Sequence, residues 1–588
     1  MAQVWLELTH QSRAEQPGFW MSGRIWEVIG GKSAGGVVVR TGKDTKSPES
    51  PGGRLVTGSI VAELALDGER LRYTLLTGEG PKEGWVSLKF KSTTLLIQAG
   101  AEGSQAAKEA KEVEEAKRTY GAEGRRRVWL MPQGTRGDVQ PFVALGVGLR
   151  KAGMDVRILA SANFKTFVES YGLAFTEQGV DCKALMSKST DEMMNGMDKE
   201  EVTKQYKEDP QKLGGDCLDK WYGDADVLRS GVQILLELLE REKPDLIFTV
   251  GLNRVIPYFA WKKHGVPIYG LEFFPSMFAS SEEMHGVFDS LYEDAKKIEG
   301  DVGFNPLDGV EAAEYHQWRI TRNFCACHPA IIDKLGEELP EEIRALAKPL
   351  CKGFLVLEPR LQMIDASSFG GHEGLVKMQD YLDAGPPPFY LGWGSMPVPT
   401  NFLAKFILIF KMNKARAIIC AGWGGHNLKG LKEFMDETMP EDPMGLMEYA
   451  TDQLLFVEVA PHEWLLPRCA ATIHHGGAGT TCACLRAGVP TIITPFLVDQ
   501  FAYAAWVEAL GCGLQLGLMD NPEKLMDPTW SKAIRKTLND EDMKSKAKSV
   551  AAELHRRTTV EDMVPFVDKL VQESRAREPA EEKRSLGC

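Results

Sequence analysis

Thr472-Ile-His-His-Gly-Gly-Ala-Gly-Thr-Thr481 follows an apolar run, Cys469-Ala-Ala-Thr-Ile473, and leads into a segment of helix-forming residues. Strand, glycine turn and helix start, in that order, aim backbone N–H groups at one point and form a cradle for an anion. His475 adds a donor or a positive charge, and Thr480 and Thr481 add hydroxyls. The stretch lacks the Lys of the G-x-x-x-x-G-K-[ST] loop. We therefore expect a diphosphate whose charge is met without a dedicated Lys.

The same strand–helix rhythm runs outward in both directions. Upstream, Phe389-Tyr-Leu-Gly392, Ala417-Ile-Ile-Cys420 and Leu454-Leu-Phe-Val457 read as strands, and downstream so does Thr491-Ile-Ile493. An earlier series comprises Val128-Trp-Leu-Met131, Val156-Arg-Ile-Leu-Ala160, Asp245-Leu-Ile-Phe-Thr-Val250 and Val266-Pro-Ile-Tyr-Gly270, with a helix from Gln140 to Ala152 closed by Gly153. Alternation of this kind implies parallel sheets covered by helices. Asp383-Ala-Gly-Pro-Pro-Pro388 separates the series as a hinge. The expected fold is α/β, with two Rossmann-like doubly wound domains facing a cleft, preceded by a small β-rich module. We expect the module at 1–98, a charged linker at 99–127, a first domain at 128–382, a second at 383–545, and a C-terminal helix and polar tail at 546–588.

In the module, Leu71, Tyr73 and Leu75 alternate with polar residues, as do Val86, Leu88 and Phe90, and Asp67-Gly68 reads as a hairpin turn. Trp20, Trp26 and Trp85 either fill its core or line a groove for a protein partner. The linker ends in Arg125-Arg-Arg127, either a solvated charge run or a contact for anionic lipid.

Composition narrows the function classes. The chain has 588 residues, a 43% hydrophobic share and a net charge of −13, which argues against a general nucleic-acid binder. Its 11 Cys form no CxxC pair, as expected of reduced, packing thiols in a cytoplasmic protein. Met1-Ala-Gln-Val-Trp-Leu-Glu7 carries no signal-peptide pattern, and no apolar run reaches the ~18 residues of a membrane span. We expect a cytoplasmic protein, with peripheral membrane contact if its ligand is a lipid.

Several loops fall at the carboxyl edges of the two sheets. Asp138, in Gly134-Thr-Arg-Gly-Asp-Val-Gln-Pro141, stands where a helix begins. It reads either as the helix N-cap, with Pro141 in the first turn, or as a general base for an entering hydroxyl. Ser395 follows one strand of the second series and Trp423 another. Asp499-Gln500 follows a third, and a carboxylate beside an amide suits vicinal sugar hydroxyls, though an N-cap role is equally open.

At these residues the sequence resembles family-one glycosyltransferases of the GT-B fold, closest to the sterol 3-β-glucosyltransferases and the bacterial antibiotic glycosyltransferases. Gly134-Thr-Arg-Gly-Asp-Val-Gln-Pro-Phe-Val-Ala-Leu145 carries the N-terminal likeness. His462-Glu-Trp-Leu-Leu-Pro467, His474 to Thr481, Leu485-Arg-Ala-Gly-Val-Pro490 and Pro495-Phe-Leu-Val-Asp-Gln500 carry the C-terminal one. The resemblance implies an inverting transfer of a sugar, glucose from UDP-glucose, to a hydroxyl of a lipophilic acceptor such as a sterol. It implies Asp138 as base, and His475, Gly477, Gly479, Thr480 and Ser395 on the diphosphate. Asp499 and Gln500 would hold the sugar, and Val459, His462 and Trp423 would flank the nucleotide base. The UDP-sugar is a co-substrate, and no cofactor or catalytic metal is implied. Phe273, Phe274 and Met277 would line an apolar acceptor pocket or form ordinary core. The chain departs from plant relatives at Ala483, where they carry a ribose-binding Glu. Alternative readings are transfer to a polyketide or other secondary metabolite, and a GT-B binding protein without turnover.

Overall fold

The computed structural model describes residues 24–99, 101, 104–178, 225–250, 255–273, 292–320, 323–335, 341, 351–358, 361, 366–396, 398–496, 498–517, 528–555 and 559–585. These fall into two compact units, within Met1–Ala110 and Pro359–Lys377, and within Lys111–Glu358 and Met378–Cys588.

In the first unit β1 (Ile25–Val28), β2 (Val37–Arg40), β3 (Glu49–Leu55), β4 (Ile60–Asp67), β5 (Arg70–Thr77), β6 (Glu83–Ser87) and β9 (Leu96–Gln98) form a seven-stranded antiparallel sheet, in the order β3-β2-β6-β5-β4-β1-β9. β4 and β5 pair Asp67 with Arg70, so the turn residues are Gly68 and Glu69. Leu71, Tyr73 and Leu75 are buried, following the alternation in the sequence. Phe90 departs from it. The chain breaks after Leu88 into a small hairpin, β7 (Lys89–Phe90) with β8 (Thr93–Thr94), and Phe90 is 64% exposed. Trp26 belongs to the core and donates Nε1–H to buried Glu63 Oε2 at 2.8 Å. Trp85 is half-buried, and Trp20 lies outside the described residues. A helix, α1 (Gln105–Thr119), occupies much of the segment expected as linker.

The second unit holds two parallel six-stranded sheets of identical topology. The first runs β12-β11-β10-β13-β14-β15, with β10 (Arg127–Met131), β11 (Asp155–Ala160), β12 (Ala174–Glu177), β13 (Leu246–Thr249), β14 (Ile268–Glu272) and β15 (Asn323–Cys325). The second runs β18-β17-β16-β19-β20-β21, with β16 (Phe389–Gly392), β17 (Ala417–Cys420), β18 (Leu454–Val457), β19 (Ala471–His474), β20 (Thr491–Ile493) and β21 (Gly513–Gln515). Each sheet reverses direction beside its first strand, and ligands of such sheets bind outside the strand ends at that reversal. The strands that flank the two reversals are β10 with β13 and β16 with β19. Apart from half-buried Arg127 they are buried, and apolar residues predominate in them, as in strands covered on both faces.

Three helices position the site. α2 (Arg136–Lys151) follows β10, α3 (Ala478–Ala487) follows β19, and α4 (Val498–Ala509) follows β20. The last helix, α5 (Thr559–Ser585), returns from the second Rossmann-like domain to the first. Phe566 meets Phe324 edge-on at 4.6 Å, and Arg575 pairs with Asp245 at 2.6 Å. One apolar core is shared by both domains: Cys325, Ile331 and Cys351 from the first pack with Leu485, Tyr503 and Trp506 from the second.

Arg125–Arg127 are neither a solvated run nor a free basic patch. Arg125 and Arg127 reach Asp155 at 2.6 and 4.0 Å, and Arg126 pairs with Asp568 on α5. Among the described residues no helix is long and apolar enough to cross a membrane.

Candidate active site

α2 begins four residues earlier than its apolar pattern suggests, because Thr135 caps it. The Thr135 hydroxyl accepts from Gly137 N at 3.3 Å, and Asp138 Oδ2 accepts from Thr135 N at 2.7 Å and from its hydroxyl at 3.1 Å. This is a capping box, so Asp138 is the third helical residue and not the N-cap, and Pro141 lies inside the helix. Only one of the two carboxylate oxygens is engaged by Thr135. Burial pushes the Asp138 carboxyl up to about 6, against the pull of the Thr135 donors.

Opposite stands the cradle. Gly477 is the N-cap of α3 and brings no side-chain acceptor. The N–H groups of Ala478, Gly479 and Thr480 therefore lack intrahelical partners, and Thr481 N is the first to bond, to Gly477 O at 2.9 Å. Thr480 is half-buried, whereas the Thr481 hydroxyl is turned back to Gly477 O at 3.0 Å and is not a ligand donor.

His475 is 6% exposed, and its Nδ1 is buried without a hydrogen-bond partner. The ring is wedged between Gly477 and Gly394, where an added Cβ would lie 2.9 Å from His475 Cε1. Gly394 also adopts φ +58°, which favours glycine, and this carries the Trp393–Ser395 turn under the ring. Burial, with His462 nearby, pushes His475 down to about 4. The imidazole is therefore neutral near pH 7. It offers a donor, not the positive charge its sequence position allowed. His474 is committed to the turn: its Nδ1 accepts from Gly476 N at 3.0 Å, and its carbonyl accepts from Thr494 N at 2.8 Å.

His462 Nε2 lies 2.9 Å from Tyr390 Oη, and burial lowers its pKa to about 4, with the charge of Arg136 adding to the effect. Tyr390, which the sequence reading missed, thus fixes the ring; its position inside a buried strand gave no signal. Trp423 N donates to Gly394 O at 2.8 Å, tying the loops after β16 and β17 together. Val459 is 42% exposed just beyond β18. Ser395 is half-buried beside Gly394.

Asp499 occupies the first turn of α4. Its carboxyl is pushed up to about 7, by burial first and by the nearby Asp138 charge second. Asp138 titrates lower, so it ionises first and acts on Asp499. The structure thus brings the two carboxylates, one from each domain, into one electrostatic site. Gln500 is 6% exposed; its Oε1 accepts from Phe496 N at 2.8 Å and its Nε2 faces Met396 Sδ at 3.9 Å. It ties down the Phe496 loop before α4. Phe273 packs edge-on against Phe142 at 6.1 Å, and its carbonyl accepts from Tyr503 Oη at 2.8 Å. Phe274 and Met277 lie outside the described residues.

Residues 128–272 match the glycosyltransferase family 28 N-terminal domain, and residues 438–570 match the erythromycin biosynthesis protein CIII-like C-terminal domain. One match therefore lies on each of the two Rossmann-like domains. Among its relatives, the sterol 3-beta-glucosyltransferase of Yarrowia lipolytica is 26% identical over 482 residues, covering 77% of this chain and 30% of that protein. Sterol 3-beta-glucosyltransferase UGT80A2 of Arabidopsis thaliana is 30% identical over 409 residues, covering 66% of this chain and 57% of that protein. The chain thus spans between 30% and 57% of the length of these two relatives. The crystal structure of CalG4, the calicheamicin glycosyltransferase, is 14% identical with a TM-score of 0.49, covering 76% of this chain and 99% of that one.

Proposed function

We propose that this GT-B chain transfers a sugar from a UDP-sugar, UDP-glucose first, to the hydroxyl of a lipophilic acceptor, with a sterol as the leading candidate. One observation carries the reading. A half-free carboxylate on one domain faces an uncapped helix N-terminus with a buried, unpartnered imidazole on the other. The sterol 3-beta-glucosyltransferase relatives supply the acceptor class.

In this reading Asp138 takes the proton from the acceptor hydroxyl as its oxygen attacks the anomeric carbon. The bond to the diphosphate breaks on the opposite face, so configuration inverts. Charge develops on the departing UDP, and the N–H groups of Ala478, Gly479 and Thr480, with His475, the Thr480 hydroxyl and Ser395, stabilise it. Dipoles fixed before the reaction need no reorganisation, which is how the site can work without a charged imidazole. Asp499 and Gln500 hold the sugar hydroxyls, while Val459, His462 and Trp423 border the base.

The reaction needs no cofactor in this proposal. The enzyme is cytoplasmic and meets its acceptor at a membrane surface. The β module sets location through a partner, so deleting residues 1–98 would shift location while turnover stays.

The test is product analysis. The purified chain, UDP-glucose and a panel of sterols and polyketides are incubated, and products are read by mass spectrometry. A steryl hexoside absent from Asp138→Asn reactions is expected. Polyketide hexosides alone would select the alternative suggested by the C-terminal domain match. No product from any acceptor, with UDP bound, would leave a binding protein.

A further inference from the structure

Cys325 ends β15, the edge strand of the first parallel sheet, and Cys327 follows two residues later. A later piece of chain adds at that edge. Cys351 is bridged to Cys325 in parallel, Lys352 N donates to Cys325 O at 2.8 Å, and Gly353 N donates to Cys327 O at 2.8 Å. Paired residues on neighbouring strands share a face, and so do residues two apart on one strand. Three thiols from two pieces of chain therefore converge on one side of the sheet edge.

The backbone spacing suits a covalent link. Neighbouring strands lie about 4.8 Å apart, inside the range of about 4.4–6.8 Å that separates the Cα atoms of bonded cysteines. All three cysteines are free thiols. They also contact one another. The Cys351 sulfur accepts hydrogen bonds from the Cys325 and Cys327 thiols, which hold its pKa well below the ordinary thiol value against the effect of burial. Burial pushes the other two well above it. Cys512, in the same core, is pushed up to about 12 and shows what packing alone does to a thiol. Cys351 therefore ionises first, and the thiolate is the form that attacks an oxidant. It is also the least enclosed of the three, 5% exposed against 0% for Cys325 and Cys327.

We propose that Cys351 and Cys325 form an oxidisable pair, closed to a disulfide by a hydroperoxide, with Cys351 oxidised first and Cys325 resolving it. The Cys351 thiolate attacks one peroxide oxygen, the O–O bond breaks, and the other oxygen leaves as hydroxide, which takes a proton to become water. The Cys325 sulfur then attacks the sulfenic acid: the S–S bond forms, the S–O bond breaks, and a second water departs with the Cys325 proton. The two sulfurs together give up two electrons, and the peroxide accepts them. The link bolts Cys351-Lys-Gly353 to the sheet edge, within the core where these thiols meet Leu485 of α3 and Tyr503 of α4. This inference is independent of the UDP-sugar reading.

The experiment treats the full chain with hydrogen peroxide, folded and after unfolding in urea, alkylates the remaining thiols and reads linked peptides by mass spectrometry. In the folded chain a Cys325–Cys351 peptide pair, lighter by two hydrogens and removed by dithiothreitol, should be the main intrachain link. It should be at least about ten-fold more abundant than in the unfolded chain, where proximity is lost. Cys325→Ser should leave a sulfenic acid on Cys351 that dimedone traps, whereas Cys351→Ser should give neither the link nor an adduct on Cys325. A thermal melt of each variant checks its fold, and the wild-type link decides by itself should either variant fail to fold. If the folded chain keeps both thiols, links Cys351 to Cys327 instead, or is oxidised first at half-buried Cys420 or Cys482, the assignment is wrong and the three cysteines only pack.

Discussion

Asp138 closes the capping box of α2 with one oxygen, while Thr135 leaves the other unengaged, as the proposed base requires. Asp138→Asn keeps the cap geometry but removes the proposed base. It should lower turnover by at least about a hundred-fold while UDP affinity changes little, as isothermal calorimetry would report. In the wild type the acidic limb of kcat/KM should fall near pH 6, because the carboxyl titrates at about 6 and must be ionised to act. His475, at about 4, contributes no limb near neutrality. Asp499 gives a stability signature of the opposite kind. Its folded-state pKa, about 7, is raised above the ordinary carboxyl value, so its contribution is present below about pH 4 and lost as pH rises through 7. Asp499→Asn should therefore stabilise the protein above pH 7, by about 1–3 kcal/mol after allowance for cleft water, and by much less at pH 4. Denaturant melts at the two pH values would show it; equal shifts would contradict the burial assigned to Asp499. The two adjacent histidines should also separate. His475→Ala should reduce UDP affinity and turnover, whereas His474→Ala, which removes the acceptor for Gly476 N, should chiefly lower the melting temperature.

At the scale of elements, the N-termini of α2 and α3 define the site, and their contact is made by glycines because a side chain would hold them apart. Gly479→Ala places a methyl 3.3 Å from Gly137 Cα, and backbone cannot yield as a flexible side chain would. Turnover should fall about ten-fold or more with the melting temperature nearly unchanged, and Gly137→Ala, whose nearest atom across the cleft is Gly479 N at 3.9 Å, should be milder. Equal effects would mean that the contact does not limit the reaction. Much of this arrangement is legible in the chain. The parallel strands announce themselves as short, largely apolar runs, and His-His-Gly-Gly-Ala-Gly marks the turn into α3. Other parts depend on distant residues. β15 and β21 are three residues each, too short for a periodicity to register. Thr135-x-x-Asp138 is a capping-box spacing, yet Pro141 drew the helix start toward Asp138. The partners of Arg125–Arg127 lie at Asp155 and Asp568, and the neutrality of His475 follows from burial that only the packed cleft supplies.

At the scale of the whole second unit, α5 decides whether two similar domains act as one. It begins after the second Rossmann-like domain and lies against the first, where Val560 fits so closely that a Cβ on Gly148 of α2 would lie 2.5 Å from its Cγ1. Phe566 fills the face of β15 through Phe324, Lys352 stacks on Phe566 at 4.9 Å, and Arg575 spans Asp245 and the Arg125 carbonyl at 2.7 Å. Asp568 holds Arg126. These contacts differ in worth. The Arg575 pair is partly exposed, so Arg575→Ala should cost under about 1 kcal/mol. Phe566→Ala removes a half-buried ring contact and should cost about 1–2 kcal/mol, below the range for fully buried aromatic rings. The consequence for the proposed reaction follows from position: α5 packs on α2, the helix that carries Asp138, so loosening it would displace the proposed base. Phe566→Ala should therefore lower kcat with the acceptor more than it lowers UDP affinity, since the cradle on α3 is intact. Steady-state kinetics beside UDP calorimetry would separate the two, and a proportional loss in both would show that α5 supports the donor domain alone.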